Sequence, residues 1–326
     1  MQYLLHIGTN KTGTSTLQRY LGGIRDELLK QGIWYPQIGS YPMAHHDYAL
    51  GILKKDFAER GVDPDIIEHP PPGTELVLLS SEAFHTVYPV EAVAERFPPD
   101  RTQIVLYLRE HVSYLASWYQ QSAQERLMTC SFREFGELFR RDFAGLVDRW
   151  RKVYGDNVRV RPYDRERLRD GDIVKDFFWT AFRSDPPVER TFPDANPSIS
   201  GNLLLLKLIL NHMITIEENK RIIEEFAGLS QIDPRFGGRF TVSEREARRI
   251  AFKQGDDRKR LKQEYGIVFK PPREGIVGSP MPDPENLRSD MERILEHARK
   301  RGFFVYDLIK ERHDLFFPFS SLVEAR

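Results

Sequence analysis

Gly8-Thr9-Asn10-Lys11-Thr12-Gly13-Thr14-Ser15-Thr16 puts two glycines, one lysine and a run of hydroxyls into one short stretch. The chemistry these residues serve is anion binding. Gly13 lets the backbone approach an oxyanion closely, and Thr14, Ser15 and Thr16 offer amides and hydroxyls where a helix begins. Gly8 and Gly13 have the spacing of the phosphate-binding pattern G-x-x-x-x-G-K-[ST], but Thr14 stands where its lysine belongs. Lys11 comes earlier, inside the loop. A kinase or ATPase needs that lysine on the β- and γ-phosphates, so the displacement points to different chemistry on a related scaffold. An ordinary helix cap also favours Thr and Ser. The two glycines and Lys11, directly after a strand, favour the phosphate cradle.

A second cluster is Val105-Leu106-Tyr107-Leu108-Arg109-Glu110-His111-Val112-Ser113-Tyr114-Leu115-Ala116-Ser117-Trp118. Arg109 leaves the end of an apolar run, where a guanidinium can grip phosphate with two parallel bonds. Ser113 and Ser117 are four apart and share one helix face, with Tyr114, Trp118 and Gln121 in a neighbouring stripe. Beside an anion loop on an adjacent strand, Arg109 and the serines read as a second phosphate site.

The elements that must position these residues follow from hydrophobic periodicity. Leu4-Leu5-His6-Ile7 is a first strand, and Leu17, Leu21, Ile24 and Leu28 predict a helix that Gly32 ends. Ile33-Trp34-Tyr35-Pro36 is a short strand, residues 75–82 a buried strand that emerges on Ser80-Ser81-Glu82, and residues 103–109 repeat that plan. Helices are predicted near 45–60, at 111–127 and from Phe132 to Tyr154, followed by a strand over Asn157 to Arg161. Further helices follow at 172–183, 200–227, 242–265 and 285–301, with a Pro-rich loop at 271–284. Alternating strands and helices imply an α/β fold, with a central, mostly parallel sheet flanked by helices. One domain over 1–326 is expected, 1–165 carrying the core and 166–326 serving as mainly helical cover. Ligands on such sheets bind beyond the carboxyl ends of the strands, where Lys11, Glu82 and Arg109 all arrive.

Composition excludes several classes. Lys plus Arg and Asp plus Glu each total 48, so net charge gives no bulk attraction to nucleic acid or anionic membrane. Cys130 is the single cysteine and cannot form an intrachain disulfide, and no Cys/His spacing suits zinc. The longest apolar run, Leu203 to Leu210, is broken by Lys207 and is too short to span a membrane. Met1 to His6 enters the first strand at once, leaving no room for a signal peptide. The expectation is a cytoplasmic enzyme whose oligomeric state is open.

Together the two clusters resemble the sulfotransferases that use 3′-phosphoadenosine 5′-phosphosulfate (PAPS), a P-loop-like three-layer fold. In that family the loop after the first strand holds the 5′-phosphosulfate and carries a lysine, matched here by Lys11 in Asn10-Lys11-Thr12-Gly13-Thr14-Ser15-Thr16. A strand-end arginine and a serine on the next helix bind the 3′-phosphate, matched in order and spacing by Arg109 and Ser117. Gly32-Ile33-Trp34-Tyr35-Pro36, His45-His46, Leu79-Ser80-Ser81-Glu82, Leu146 to Trp150 and Val160-Arg161-Pro162-Tyr163 extend the likeness to bacterial members. It covers about the first half well and the last hundred residues loosely.

The resemblance implies sulfuryl transfer to a hydroxyl on a carbohydrate or other small metabolite, with no metal. Lys11 would then neutralise charge growing on the bridging oxygen of the leaving nucleotide. The family's general base is a His or a Glu; His46 is the first choice here, Glu82 the second. Glu82 could instead orient a histidine, and His45, His85 and His111 are further candidates. The basic run Arg258-Lys259-Arg260-Leu261-Lys262 reads as a solvated helix face, and Phe177-Phe178-Trp179 as core. The competing functions are a small-molecule kinase of the P-loop type and a nucleotide-binding protein without catalysis.

Overall fold

The apolar runs pair as five strands, β1 (Gln2–His6), β2 (Ile33–Trp34), β3 (Leu76–Ser80), β4 (Thr102–Leu108) and β5 (Val158–Pro162). The computed structural model describes residues 1–139, 141–190, 198–272, 275–277 and 283–312. Strand order is β2-β3-β1-β4-β5, and every pairing is parallel. All carboxyl ends therefore meet one edge. His6 lies level with Ser80 on one side and Val105 on the other. The chain leaves β1 toward β2 and leaves β4 toward β5, so the crevice beyond β1 and β4 is the switch point of the sheet.

Helices α1 (Thr14–Gly23), α2 (Arg25–Leu29), α3 (His46–Lys54) and α4 (Glu91–Ala94) fall between the first four strands. Three more, α5 (His111–Glu125), α6 (Phe132–Leu138) and α7 (Phe143–Tyr154), precede β5. After β5 come α8 (Ile173–Phe182), α9 (Gly201–Leu210), α10 (Ile216–Leu229) and α11 (Glu244–Lys253). The last are α12 (Gly255–Tyr265), α13 (Leu287–Lys300) and α14 (Phe304–Glu311).

The chain divides into two compact units, one of residues 1–110, 141–193 and 254–271, the other of 111–140, 194–253 and 272–326. The first holds the sheet. Leu4, Leu78, Val105 and Tyr107 form one cluster with Leu17 and Leu21 of α1 and Phe177 of α8. Their neighbours Leu5, Leu79, Ile104 and Leu106 are equally buried. Period-two alternation turns these to the opposite face, where α7 packs on β4 and β5. Both faces are covered, as a parallel sheet requires.

The second unit is helical. Lys207 of α9 is buried there, and its ammonium lies against the Ala123 carbonyl at 3.3 Å and the Asn211 side chain. Asn211 in turn donates to Ala123 O at 3.0 Å and Met128 O at 2.8 Å, so the last turn of α5 and the chain beyond it find donors. Burial draws the lysine pKa down to about 8. No helix among the described residues is long and apolar enough to cross a membrane.

Local turn chemistry breaks helices that periodicity runs together. The stretch from Leu17 to Leu28 is two helices, because Ile24 leaves helical geometry (φ −126°) after Gly22 and Gly23. Phe132 to Tyr154 divides before Asp142, whose side chain caps α7 by accepting from Gly145 N at 2.8 Å. Residues 200–227 divide where Thr215 and Glu218 form a capping box at the start of α10. Residues 242–265 divide at Gln254. Trp179 corrects the core expectation: Phe177 and Phe178 are buried, but Trp179 is 39% exposed, with the Arg169 guanidinium 4.1 Å over its ring. The basic run lies on α12, with Arg258 paired to Glu110 at 3.0 Å and Arg260 to Asp148 at 2.6 Å. Much of the Pro-rich loop lies outside the described residues.

Candidate functional site

The loop after β1 keeps its strand hydrogen bonding as far as Thr9, whose amide donates to Tyr107 O at 2.9 Å. It then turns sharply. Thr9 Oγ1 donates to Tyr107 O at 3.2 Å and Thr12 Oγ1 to Thr9 O at 2.6 Å, so these two hydroxyls hold the loop itself. Lys11 adopts left-handed geometry (φ 64°) and Gly13 follows at φ 76° as the cap residue of α1. Gly13 is needed twice over, because a Cβ there would also meet the Tyr163 ring at 3.0 Å. Gly8 is similarly constrained: it has φ 96°, and its Cβ would sit 3.2 Å from Glu82 Cα.

No side chain caps α1, and no acidic residue lies in its first turn. The amides of Thr14, Ser15 and Thr16 precede the first intrahelical bond, from Leu17 N to Gly13 O at 3.1 Å. Those amides and the positive end of the helix dipole can together receive an anion. Arg109, at the end of β4, donates Nη1–H to Lys11 O at 3.0 Å, and its guanidinium lies 5.9 Å from the Tyr163 ring centre. Lys11, Gly13, Arg109 and Tyr163 thus meet at one corner of the first unit. Ser113 and Ser117 lie on α5 in the second unit, and Trp118 there packs edge-on to Phe135 at 5.2 Å and Phe139 at 4.7 Å.

The end of β3 supplies the second group. Ser81 caps a 3₁₀ turn that begins at Glu82 by accepting from Ala83 N at 3.0 Å. Glu82 accepts from the Thr14 hydroxyl through Oε1 and from Gln18 Nε2 through Oε2 at 3.0 Å. His46, first residue of α3, places Nδ1 2.7 Å from Ser81 Oγ and Nε2 3.6 Å from Glu82 Oε2. Burial pushes the Glu82 pKa up, but His46, the Thr14 hydroxyl and the Gln18 amide outweigh it and leave the carboxyl below its ordinary value. Thr14 therefore turns its side chain to Glu82. Ser15 and Thr16 are exposed.

His45 does different work. It is buried, its Nδ1 accepts from Ser80 N at 2.9 Å, and its Nε2 lies 2.8 Å from Pro36 O. Those partners assign the neutral tautomer with the proton on Nε2 and occupy both nitrogens, which leaves no basic atom for an acceptor. Burial holds its pKa at about 4, and burial does the same to His6, whose Nδ1 lies 2.7 Å from Ser80 Oγ. His85 sits on the 3₁₀ turn after Glu82, with a pKa lowered to about 4 first by burial and then by Arg141. His111 is the first residue of α5.

These depressed histidines set a pH dependence. Unfolded, each titrates near about 6.5. Below that value the unfolded chain binds protons that the native state refuses, so stability is full above about pH 6.5 and is lost as pH falls toward 4. For His45 the loss at pH 5 is roughly 2 kcal/mol. Urea midpoints at pH 7.5 and pH 5 measure it, and His45→Gln flattens the slope; an unchanged slope refutes the assignment.

Gln18 and Tyr163 also touch the residues of this candidate site, and the sequence assigns neither a role, whereas Ser81 is expected at this edge with Glu82. Gln18 had a usable signal, since it lies four residues after Thr14 on the same helix face. Among the described residues, no group of three or more His, Cys, Asp or Glu is arranged to hold a metal ion.

No family model matches the chain. An uncharacterized protein of Archaeoglobus fulgidus is 28% identical over 149 residues, which is 44% of this chain. The match spans 41% of that relative's length. The crystal structure of a sulfotransferase from Alicyclobacillus acidocaldarius is 18% identical and aligns over 70% of this chain and 96% of its own. Its TM-score is 0.39.

Proposed function

We propose that the chain transfers the sulfuryl group of PAPS to a hydroxyl on a carbohydrate or other small metabolite. The observation that carries this reading is the convergence at one sheet edge of an uncapped helix N-terminus, Lys11 and the His46–Glu82 pair. Sulfuryl transfer needs those functions and little else, because its loose in-line transition state asks mainly for positioning and charge stabilisation.

In this reading the amides of Thr12 to Thr16 receive the 5′-phosphosulfate, and Arg109 receives the 3′-phosphate. His46 is the base. Ser81 Oγ at Nδ1 orients its ring, and Glu82, 3.6 Å from Nε2, stabilises the imidazolium that forms when the ring takes the acceptor proton. The acceptor oxygen bonds to sulfur as the bond from sulfur to the bridging oxygen breaks. That oxygen leaves on 3′-phosphoadenosine 5′-phosphate (PAP), with Lys11 beside it, and the proton ends on His46. A P-loop kinase is not favoured, because position 14 carries a threonine turned to Glu82.

Thermal stabilisation tests the donor. PAP should raise the melting temperature by several degrees at a concentration where AMP, ADP and ATP do little, since saturation at about 100 Kd is worth ~2.7 kcal/mol. Arg109→Ala should erase the preference for PAP over AMP. Equal stabilisation of wild type by PAP and AMP defeats the proposal.

A further inference from the structure

Helix α1 and the start of α2 carry polar side chains that do not serve the anion cradle. Gln18 is 5% exposed, and its amide points at Glu82. Arg25 spreads its guanidinium over three backbone carbonyls: Nε to Tyr35 O at 3.1 Å, Nη1 to Gly22 O at 2.8 Å and Nη2 to Pro42 O. It also lies 5.5 Å from the centre of the Tyr35 ring. The Tyr35 hydroxyl donates to Met43 O at 2.7 Å, and a Cβ on Gly22 would fall 2.2 Å from Met43 Sδ. Pro42 and Met43 therefore lie clamped against the end of α1, and they lead directly into His45 and His46.

Taking a guanidinium partly out of water among carbonyls is costly, and its partial burial pulls the Arg25 pKa down. A cation in such a place is explained by what it holds. Its planar fork suits divergent carbonyls in a way that a lysine point charge does not. The segment it holds is anchored at its far end too, where Ser40 donates N–H and Oγ–H to Asp47 Oδ2 at 2.8 and 2.7 Å.

We propose that Gln18 and Arg25 are positioning residues for the proton acceptor. Gln18 aims Glu82, and Arg25 holds the segment that delivers His46. Gln18 on α1 and Arg25 at the start of α2 thereby reference the base to the anion cradle at the N-terminus of α1. The inference rests on the sulfuryl-transfer reading for what the His46–Glu82 pair does, although not for where the pair sits. Its physical content is near-attack geometry: a shift of about 1 Å in the base relative to the donor can cost ~100-fold in rate.

The test combines three measurements on Gln18→Met, Arg25→Ala and Arg25→Lys: PAP affinity by calorimetry, PAP release from PAPS with water as acceptor, and carboxyl titration of ¹³C-labelled Glu82 by NMR. In Arg25→Ala, PAP release should fall tenfold to a hundredfold while PAP affinity stays within about twofold. The Glu82 midpoint should rise, because His46 leaves the carboxylate. Added methylguanidinium should restore part of the rate, and Arg25→Lys should fall between wild type and Arg25→Ala. Gln18→Met should raise the Glu82 midpoint directly. Rates within threefold of wild type with an unmoved midpoint overturn the proposal. So does a PAP affinity that falls in step with the rate, which marks a general loosening of α1. Wild type that neither binds PAP nor releases it, beside variants that still move the Glu82 midpoint, defeats the sulfuryl-transfer reading and leaves the positioning intact.

Discussion

His46→Asn should lower PAP release from PAPS by about 10²–10⁴-fold, the usual worth of a positioned general base, with PAP affinity within about twofold. Glu82→Gln should cost less. The carboxylate lies 3.6 Å from His46 Nε2, where the attraction to an imidazolium is about 4 kcal/mol at an effective dielectric of ~20. The His46 side chain is 26% exposed and the Glu82 side chain 14%, so water weakens that attraction to a tenfold to hundredfold effect on rate. The two residues act as one unit, so the double variant should be little worse than His46→Asn alone. A reversed order, with Glu82→Gln abolishing turnover and His46→Asn within threefold of wild type, would make Glu82 the base. Full activity in both variants would remove the pair from the mechanism altogether.

The sheet was legible because its strands are continuous apolar runs bounded by polar ends. Residues 75–82 and 103–109 foretell β3 and β4 to within two residues, and parallel order then brings Lys11, Glu82 and Arg109 to one edge. Long helices were less legible. Periodicity continues across a turn whenever the apolar stripe resumes in phase, so caps such as Asp142 and Thr215 decide the boundary. The Thr215-Ile216-Glu217-Glu218 capping box was readable in principle. Helix α14 has no counterpart in the sequence reading. The histidine pair shows where residue type alone stops. His45 and His46 are adjacent and identical in chemistry, yet one lies buried between Ser80 and Pro36 and the other faces a carboxylate. Which is which depends on the register of the loop against β3, and no local pattern encodes it. Arg25 was invisible for a related reason: all three of its partners are carbonyls, and any residue has one.

Lys11→Ala should reduce PAP release about 10²–10³-fold while changing PAP affinity only a few-fold, because the charge it meets develops as the bridging oxygen departs. The backbone complicates the choice of variant. Lys11 holds a left-handed conformation (φ 64°), which costs a non-glycine residue of order 1 kcal/mol or more and persists because Arg109 grips its carbonyl and Thr12 closes the loop behind it. Lys11→Gly removes the ammonium and also relieves that strain, so it separates the two effects. Equal rate losses in Lys11→Ala and Lys11→Gly assign the loss to the ammonium. A loss confined to Lys11→Ala assigns it to loop geometry. If PAP affinity falls by the whole factor with turnover at saturation unchanged, the lysine binds ground and transition states alike and the leaving-group role is wrong. The same loop explains why the cation sits at position 11. Position 14, where a P-loop enzyme keeps its lysine, is 3% exposed here and turned to Glu82. A lysine there would pair with that carboxylate instead of reaching the anion, and it would take from His46 the partner its protonated form requires. Thr14→Lys should therefore depress PAP release as strongly as Glu82→Gln without conferring turnover of ATP. Acquired ATP turnover in that variant would restore the kinase reading.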